Sequence, residues 1–434
     1  MSLSTLNNED GHVGSDARYR RTPSLPENSA PFLRLRHSPD SGFGVFASQL
    51  IQSGTRILES EDGPAIYVIY RAFRKEVCAW CFRYDQGRNW KIRYEPPSGV
   101  QRDSGGGSGG GGSGSAPGPG VVFCREECRD AWKEEYGEVG IEAYAAVEAF
   151  VQKQARSRGW SVGISNSNSE EDGDKVPTTS EIEETWKSAE EQASLIRSQR
   201  SSSRSPNPNL SSAIKPDRSS KSQKQALAQA IALPILNTDT LSFLLSGVLC
   251  ASSSSRCPSW RALLTLSPSL HAVYANTDAL QQITTTLLHF TAILPLQLLP
   301  YVSRETFEVV LARDVANSFG IWSTQEEAQR KLNNSSSDMQ EGAEMLGYGT
   351  WPIASFFNHS CEPNVARRRI GRRWVFTSAR EVSEDEELCI SYIRGEENTL
   401  NLTERRKRLK HTWGFECRCV KCVHEEENQG VHDE

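Results

Sequence analysis

Residues Asn358–Asn364 read NHSCEPN, Glu386–Tyr392 read EELCISY, and Trp413–Cys422 read WGFECRCVKC. The first of these segments is a polar turn that follows a hydrophobic passage. The second changes from acidic to apolar, and its residues Leu388–Ile390, like Trp374–Phe376 upstream, have the character of short strands. The sequence around these segments therefore predicts polar turns held between short strands.

The third segment contains three thiols, Cys417, Cys419 and Cys422, whose spacing lets them reach one metal ion. A closed tetrahedral zinc site needs a fourth ligand. Cys361, in the polar turn, is the candidate, because the other unassigned cysteines lie in a strand pattern or beside a serine run. The alternative is that Cys361 is a buried apolar side chain and that the three thiols form a partial or redox site.

A second group of thiols lies in the amino-terminal part of the chain, as the pairs Cys78-x2-Cys81 and Cys124-x3-Cys128. Each spacing lets both thiolates of a pair contact one ion, and four thiolates complete a tetrahedral zinc site. The alternative is two unrelated pairs of buried thiols. A long Gly/Ser loop separates the pairs, which a metal site tolerates because the entropy of loop closure grows slowly with length.

The composition indicates a chain that packs only in part. Of 434 residues, 37% are hydrophobic, and the formal net charge is −6 at pH 7. Phosphate binding normally needs a basic excess, so this charge argues against a protein held on nucleic acid by bulk electrostatics. The first residues are polar where a secretory signal would be apolar, so we expect a reducing compartment in which the 11 cysteines serve as metal ligands. The apolar run Ile283–Val302 contains two prolines and a histidine, so no membrane span is expected.

Three polar stretches are expected to lie outside the core. They are 1–30, the Gly/Ser-rich 104–120, and 156–224, in which only Thr178–Ile196 has a helical pattern. Because such segments bury little apolar surface, we expect deletion of 105–114 or of 165–222 to leave ligand affinity nearly unchanged.

The rest of the chain predicts strands, then helices, then strands again. Short apolar runs broken by Gly and Pro occupy 32–69 and return in 351–392. Residues 225–311 are rich in Leu and Ala, with helix caps expected at Asn237 and Ser303.

The order and spacing of the three carboxyl-terminal segments resemble the SET and post-SET signature of protein-lysine methyltransferases. The thiols at 78–128 resemble a MYND zinc finger inserted in a SET domain, as in SMYD-type enzymes. The resemblance covers roughly 32–82, 121–136 and 225–424. It implies an α+β fold, in which a SET-domain β-fold carries a helical insert, an MYND-like zinc finger insert and a post-SET zinc site.

A MYND finger interleaves two zinc sites, and this chain departs from that pattern. No Cys or His lies between Phe82 and Phe123, and none follows Trp132 until Cys250. The second site therefore has no ligands, and we expect about two zinc ions per chain. The regions implied are a disordered arm (1–30), the SET N-terminal part (31–77), a degenerate MYND-like finger interrupted by the Gly/Ser loop (78–136), a helix and low-complexity insertion (137–224), the helical SET insert (225–316), the SET catalytic core (317–396), the post-SET segment (397–424) and an acidic tail (425–434).

The resemblance also implies a reaction, the transfer of a methyl group from S-adenosylmethionine to a lysine of a histone or non-histone protein. Tyr392 matches the tyrosine whose hydroxyl lies near the methyl group and the amine. Trp413 and Phe415 would line the adenine pocket and the lysine channel; the alternative is that both only pack on the zinc site. The cofactor-binding residues implied are Ser41, Gly42, Phe43, Gly44, Asn317, Asn358, His359, Tyr392, Trp413 and Phe415.

The sequence leaves two alternative functions. A SET scaffold with weak or no catalysis would act as an adaptor that binds protein partners, for which the zinc finger is the expected contact. A zinc-dependent DNA-binding protein is disfavoured by the net charge, because Arg367–Arg369 and Arg405–Arg408 are small patches typical of solvated faces. We expect a protein substrate, no membrane or nucleic-acid partner, and a nuclear or cytoplasmic location.

Overall fold

A computed structural model describes residues 31–38, 42–60, 63–94, 118–158, 175–202, 220–253, 258–323, 344–393 and 398–430. The arm predicted at 1–30 lies outside these residues, as do Ser41, most of the Gly/Ser loop, and the residues from 431 onward.

The strands fall into two groups separated by helices, which confirms the predicted order. The segments Trp374–Phe376 and Leu388–Ile390 lie in or beside strands, as expected from their sequence. The strands are β1 (Leu33–Ser38), β2 (Gly42–Ala47), β3 (Arg56–Glu59), β4 (Ile66–Ile69), β5 (Ile92–Arg93), β6 (Val122–Phe123), β7 (Ser318–Trp322), β8 (Met345–Thr350), β9 (Asn358–His359), β10 (Val365–Ile370), β11 (Arg373–Ser378) and β12 (Cys389–Ile390).

The helices begin where the sequence places capping side chains. Asn237 and Ser303 accept hydrogen bonds from the backbone N–H groups of Thr240 and Thr306, as predicted for the starts of two helices. No helix in the described part of the chain is long and apolar enough to cross a membrane. The helices are α1 (Glu126–Arg158, kinked at Gly137), α2 (Thr179–Ser202), α3 (Lys221–Ala232), α4 (Thr238–Ser252), α5 (Pro258–Leu263), α6 (Leu270–Val273), α7 (Thr277–Ile293), α8 (Arg304–Asn317), α9 (Leu402–Trp413) and α10 (Val420–Gly430).

Small sheets built from distant parts of the chain form the β part of the fold. Strands β4, β8 and β7 pair antiparallel in that order, as do β10, β11 and β3. Hairpin-like pairs join β1 to β2 and β5 to β6. Strands β9 and β12 pair in parallel, which brings together segments that are far apart in the sequence.

One hydrophobic core joins the sheets to the helices. Strand β4 is buried at every position and packs on α4, where the Tyr67 backbone N–H donates to Ser246 Oγ at 3.0 Å. Below the candidate site, the rings of Phe357 and Phe376 stack with their centres 4.3 Å apart. The strands that carry the site therefore rest on a packed interior.

Helix α2 belongs to this core, which corrects the expectation that 165–222 buries little apolar surface. The helix packs on α7 and α3. The Nε1–H of Trp186 donates to Tyr274 Oη at 2.9 Å, and the guanidinium of Arg200 donates to the carbonyl oxygens of Thr291 and Leu294, where α7 ends. The polar composition of the helix belongs to its outer face, while its apolar residues recur at helical spacing. Those buried residues are Ile182, Trp186, Ala189, Ala193 and Ile196.

Arg372 attaches the amino-terminal cysteine region to the sheets. Its guanidinium lies 3.6 Å from the ring centre of Trp80 and donates to the Trp80 carbonyl oxygen at 3.3 Å. Its own carbonyl oxygen accepts from Trp351 Nε1–H at 2.7 Å. The Tyr67 hydroxyl adds a 3.0 Å hydrogen bond to the carbonyl oxygen of Ala79. The cysteine region is therefore anchored by polar contacts and by ring packing.

Candidate active site and cysteine clusters

The site is built where two chain segments cross. Strands β9 and β12 run parallel there, with Asn358 opposite Cys389. Asn364, a buried side chain of the same polar turn, holds the crossing together. Its Nδ2 donates to the Glu387 carbonyl oxygen at 2.8 Å, and its Oδ1 accepts from the Cys389 backbone N–H at 2.8 Å. The NHSCEPN and EELCISY segments thus become one structural unit.

Asn358 connects this crossing to the edge of β2. Its Nδ2 donates to Glu387 Oε1 at 2.8 Å and approaches the Phe43 carbonyl oxygen at 3.4 Å. A Cβ at Gly44 would lie 2.6 Å from Glu387 Oε1 and 2.7 Å from Asn358 Nδ2, so a side chain there would displace both groups. Gly42 has a φ of +73°, which favours glycine, and the space beside it is open. The edge offers open backbone next to the partly exposed ring of Phe43.

His359 connects Tyr392 to Cys361, the thiol of the polar turn. Its Nδ1 accepts a hydrogen bond from the Tyr392 backbone N–H at 3.0 Å. Burial lowers the pKa of His359 to about 4, so the ring is neutral at pH 7. With Nδ1 acting as acceptor, the proton is assigned to Nε2, which lies 3.3 Å from Cys361 Sγ. The imidazole therefore fixes the backbone that carries Tyr392.

The side chain of Tyr392 is enclosed by aromatic rings. The ring centres of Trp413, His359 and Phe415 lie 5.3, 5.3 and 6.3 Å from its own. Its hydroxyl donates to the Phe357 carbonyl oxygen at 3.0 Å. Burial raises the pKa of Tyr392 above its usual value, so the hydroxyl stays protonated at physiological pH. The site therefore contains a neutral hydroxyl with a fixed direction.

A cleft of about 2460 Å³ opens beside Tyr392, and Asn317 and Trp413 lie in its wall. Small-molecule sites occupy about 300–1,000 Å³, so this cleft has room for a polypeptide segment. Asn317 is buried at the end of α8, where its Nδ2 donates to the carbonyl oxygens of Arg313 at 2.9 Å and Ser267 at 3.0 Å. These bonds use both Nδ2 protons, so any further contact falls to Oδ1.

Asp314 is an acidic residue of the cleft wall, one turn before the end of α8. Ser318 Oγ donates to its Oδ1 at 2.8 Å. Burial raises the pKa of Asp314 to about 6, although the hydrogen bonds from Ser318 and Tyr348 oppose the shift. Asp314 is therefore less strongly ionised near neutral pH than an exposed aspartate.

The first cysteine cluster contains the four thiols that the sequence predicted: Cys78, Cys81, Cys124 and Cys128. Their Sγ atoms lie within 4.8 Å of one another, with Cys81 to Cys124 at 3.5 Å and Cys124 to Cys128 at 3.7 Å. A tetrahedral ion with Zn–S bonds of about 2.3 Å separates its sulfur ligands by about 3.8 Å. Buried Trp132 packs against the cluster. The four side chains fit one such ion.

The second cysteine cluster contains Cys361, Cys417, Cys419 and Cys422, which confirms that Cys361 joins the three later thiols. All four Sγ atoms lie within 4.8 Å of one another, and Cys361 is 3.5 Å from Cys422. The buried Arg405 directs Nη2 at Cys422 Sγ from 3.7 Å. A buried cation offsets the negative charge of four thiolates around a divalent ion, so this donor set also suits zinc.

The geometry agrees with the comparison with protein families. The SET domain family model matches residues 42–393, most of the chain. The chain belongs to the SET-domain family.

Relatives of this SET domain include proteins from several kingdoms. The chain is 32% identical over 142 residues to the potential protein lysine methyltransferase SET6 of Saccharomyces cerevisiae, covering 32% of this chain and 33% of that protein. It is 36% identical over 86 residues to the histone-lysine N-methyltransferase SMYD3 of Mus musculus, covering 20% of this chain and 18% of that protein. A SET and MYND domain-containing protein of Dictyostelium discoideum is 40% identical over 91 residues, 19% of this chain and 16% of that protein. The matched segments thus span about a third or less of these relatives.

The predicted site residues of the SET domain lie at the crossing, beside Tyr392 or in the cleft wall, except Ser41, which lies outside the described residues. Their roles toward a cofactor stay predictions. At the crossing lie Gly42, Phe43, Gly44, Asn358 and His359; beside Tyr392 and the cleft lie Asn317, Trp413 and Phe415.

Three further residues of the site were not predicted from the sequence. Glu387 and Asn364 lie inside the segments quoted first, so the motif itself was the signal that could have indicated them. Arg367 had no such signal, because the arginine run resembled a solvated face. In the structure it is half-buried: its Nη2 donates to the Ser391 carbonyl oxygen at 2.7 Å, and its guanidinium lies 5.1 Å from the ring centre of Phe319. Arg405 is also buried rather than solvated.

Proposed function

We propose that this chain is an S-adenosylmethionine-dependent protein-lysine N-methyltransferase. The observation that carries the proposal is the placement of Tyr392, a half-buried side chain whose neutral hydroxyl is set between the crossing at Asn358 and a cleft large enough for a polypeptide. Membership of the SET-domain family supports it, and so do the relatives named as lysine methyltransferases.

The crossing has the groups that a cationic nucleoside cofactor needs. S-adenosylmethionine, when bound, supplies an electrophilic methyl group on a sulfonium. The open edge at Gly42, the Phe43 ring and the Asn358 amide would hold it, and the adjacent Glu387 carboxylate carries the charge that attracts a cation. Asn317 offers an additional acceptor through Oδ1.

Tyr392 orients the lysine amine in this proposal. Its hydroxyl already donates its proton to the Phe357 carbonyl oxygen, so its remaining lone pairs are available to accept an amine N–H. That bond would turn the amine lone pair toward the methyl donor. The rings of Trp413 and Phe415 beside Tyr392 would exclude water from the channel that holds the lysine. No strong base among the site residues is required once the lysine amine is neutral.

We infer that both cysteine clusters bind zinc, about two ions per chain, because four thiolates in tetrahedral reach are the preferred donor set of that ion. The second cluster then has a positioning role, since Cys361 contacts His359 and His359 holds the backbone of Tyr392. We propose that the first cluster is the region that contacts protein partners. We propose a nuclear or cytoplasmic location for an enzyme with protein substrates.

The full chain, incubated with methyl-labelled S-adenosylmethionine and either core histones or a cell lysate, tests the function. We expect label on lysine side chains, located by mass spectrometry, and cofactor binding in a calorimeter. A wild-type chain that binds the cofactor but labels no protein would contradict the proposed methyltransferase activity and favour the adaptor function.

A further inference from the structure

The charge of the cleft is opposite to that of the chain. The sequence as a whole carries a formal net charge of −6. Among the described residues that line the cleft, basic side chains outnumber acidic ones by seven to three. The basic residues are Arg83, Arg125, Arg367, Arg368, Arg369, Arg408 and Lys421, and the acidic ones are Asp314, Glu362 and Glu425.

One of the three acidic residues is neutralised by a partner outside the cleft lining. Glu425 forms an ion pair with Arg405, a buried arginine that is not part of the lining. Asp314 has a pKa raised to about 6 by burial, so it still carries most of its negative charge at pH 7. The third acid, Glu362, is exposed. The described lining therefore carries a net basic charge, and a basic wall in a confined space attracts an anionic ligand.

Strand β10 carries this basic charge up to the catalytic hydroxyl. Arg367 bonds to the Ser391 carbonyl oxygen, one residue before Tyr392, and rests over the rings of Phe319 and Trp374. Arg368, the next residue on the strand, is exposed. The register of β10 and β11 fixes both arginines on a paired strand rather than on a loop. The backbone positions of both arginines are therefore fixed by the sheet, and the hydrogen bond to Ser391 also fixes the guanidinium of Arg367.

The same cleft presents apolar side chains to solvent. Val315, Ile370 and Val420 are 42%, 51% and 79% exposed, and all three line it. Large exposed apolar residues that share one concave surface are typical of an interaction site. The surface therefore suits a ligand that carries both negative charge and apolar side chains.

We propose that the cleft binds the target lysine within an acidic protein segment that also contains apolar residues. The proposal rests on the proposed function and names its substrate class. A basic tail of the histone type would be repelled by the arginines, and a nucleic acid would leave the valine and isoleucine side chains without apolar partners. Charge complementarity and the apolar wall together favour the acidic polypeptide.

Three synthetic peptides of equal length test this proposal with the full chain. Each contains one lysine at its centre and the same apolar residues, and they differ only in having Glu, Gln or Arg at the charged positions. These positions lie at least three residues from the lysine, so that they change the pKa of its amine little. Binding is measured by fluorescence anisotropy with S-adenosylhomocysteine present, and turnover by label transfer.

We expect the Glu peptide to bind about tenfold more tightly than the Gln peptide, because each exposed ion pair contributes about two- to fivefold. The preference should weaken between 0.05 and 0.5 M salt, because counterions screen exposed charges. Arg368→Glu should reduce or reverse the preference for the Glu peptide, since the residue is exposed and lies outside the catalytic contacts. Lys153→Glu, an exposed position on α1 outside the cleft with the same change in net charge, is the matched control and should leave the preference unchanged.

The outcomes separate this proposal from the enzymatic function. Tighter binding of the Arg peptide, or equal effects of Arg368→Glu and Lys153→Glu, would overturn the acidic-segment proposal even if methylation occurs. A single-stranded oligonucleotide that displaces the Glu peptide and depends more strongly on Arg368 would overturn it as well. Preferential binding of the Glu peptide without any methyl transfer would support acidic-segment binding in the cleft and contradict the proposed methyltransferase activity.

Discussion

Replacing Tyr392 with phenylalanine separates folding from catalysis. The change keeps the ring that packs on Trp413 and Phe415 and removes the 3.0 Å hydrogen bond to the Phe357 carbonyl oxygen. A buried carbonyl left without its donor costs about 1–3 kcal/mol, so we expect the free energy of unfolding to fall by about 1–2 kcal/mol. The crossing at Asn358 does not use this hydroxyl, so cofactor affinity should be retained. Methyl transfer should slow at least ~10²-fold, because a contact that orients the reacting amine is lost.

Tyr67→Phe is a matched control for this variant. Tyr67 is buried, and its hydroxyl also donates to a backbone carbonyl at 3.0 Å, that of Ala79. It accepts a second hydrogen bond from the Tyr136 hydroxyl at 3.2 Å, so Tyr67→Phe should lose at least as much stability in urea unfolding as Tyr392→Phe. Only Tyr392→Phe should lose activity in a single-turnover assay. A wild-type rate in Tyr392→Phe, or the same loss of rate in both variants, would refute the role assigned to the Tyr392 hydroxyl.

The wild-type chain should contain about two metal ions, measured by plasma mass spectrometry, and Cys128→Ser or Cys419→Ser should each remove about one of them. Three ions in the wild type would contradict the prediction that the MYND-like finger holds a single zinc site. Trp186→Ala should lower the free energy of unfolding, measured in urea, by about 3–5 kcal/mol, because α2 is part of the core. The control Glu184→Ala, at an exposed position of the same helix, should lower it little. Equal effects of the two variants would contradict the assignment of α2 to the core. Burial raises the pKa of Asp314 to about 6 from about 4 in the unfolded chain, so wild-type stability falls as pH rises through this range. The difference in stability between Asp314→Asn and the wild type should therefore shift by about 2 kcal/mol in favour of the variant between pH 4 and pH 8. An equal difference at both pH values would exclude this titration.

The sequence alone was sufficient for the features that depend on spacing along the chain. Two thiols separated by two or three residues can contact one ion wherever the segment lies, so the cysteine pairs indicated the first cluster directly. Asn237 and Ser303 marked helix starts because a cap uses only neighbouring backbone N–H groups. The motif around Asn358 indicated the family by its residues and their order, and the family model matching 42–393 agrees with it.

Only the tertiary structure decided which distant residues share a surface. Helix α2 looked like part of a polar insertion, because its buried face becomes apparent only where α7 and α3 cover it. Glu387 meets Gly44 and Asn358 through a parallel strand pair that no local pattern encodes. The basic charge of the cleft also depends on tertiary structure. Its arginines come from both halves of an acidic chain, and their charges act on one ligand only because folding places them along the same concave wall.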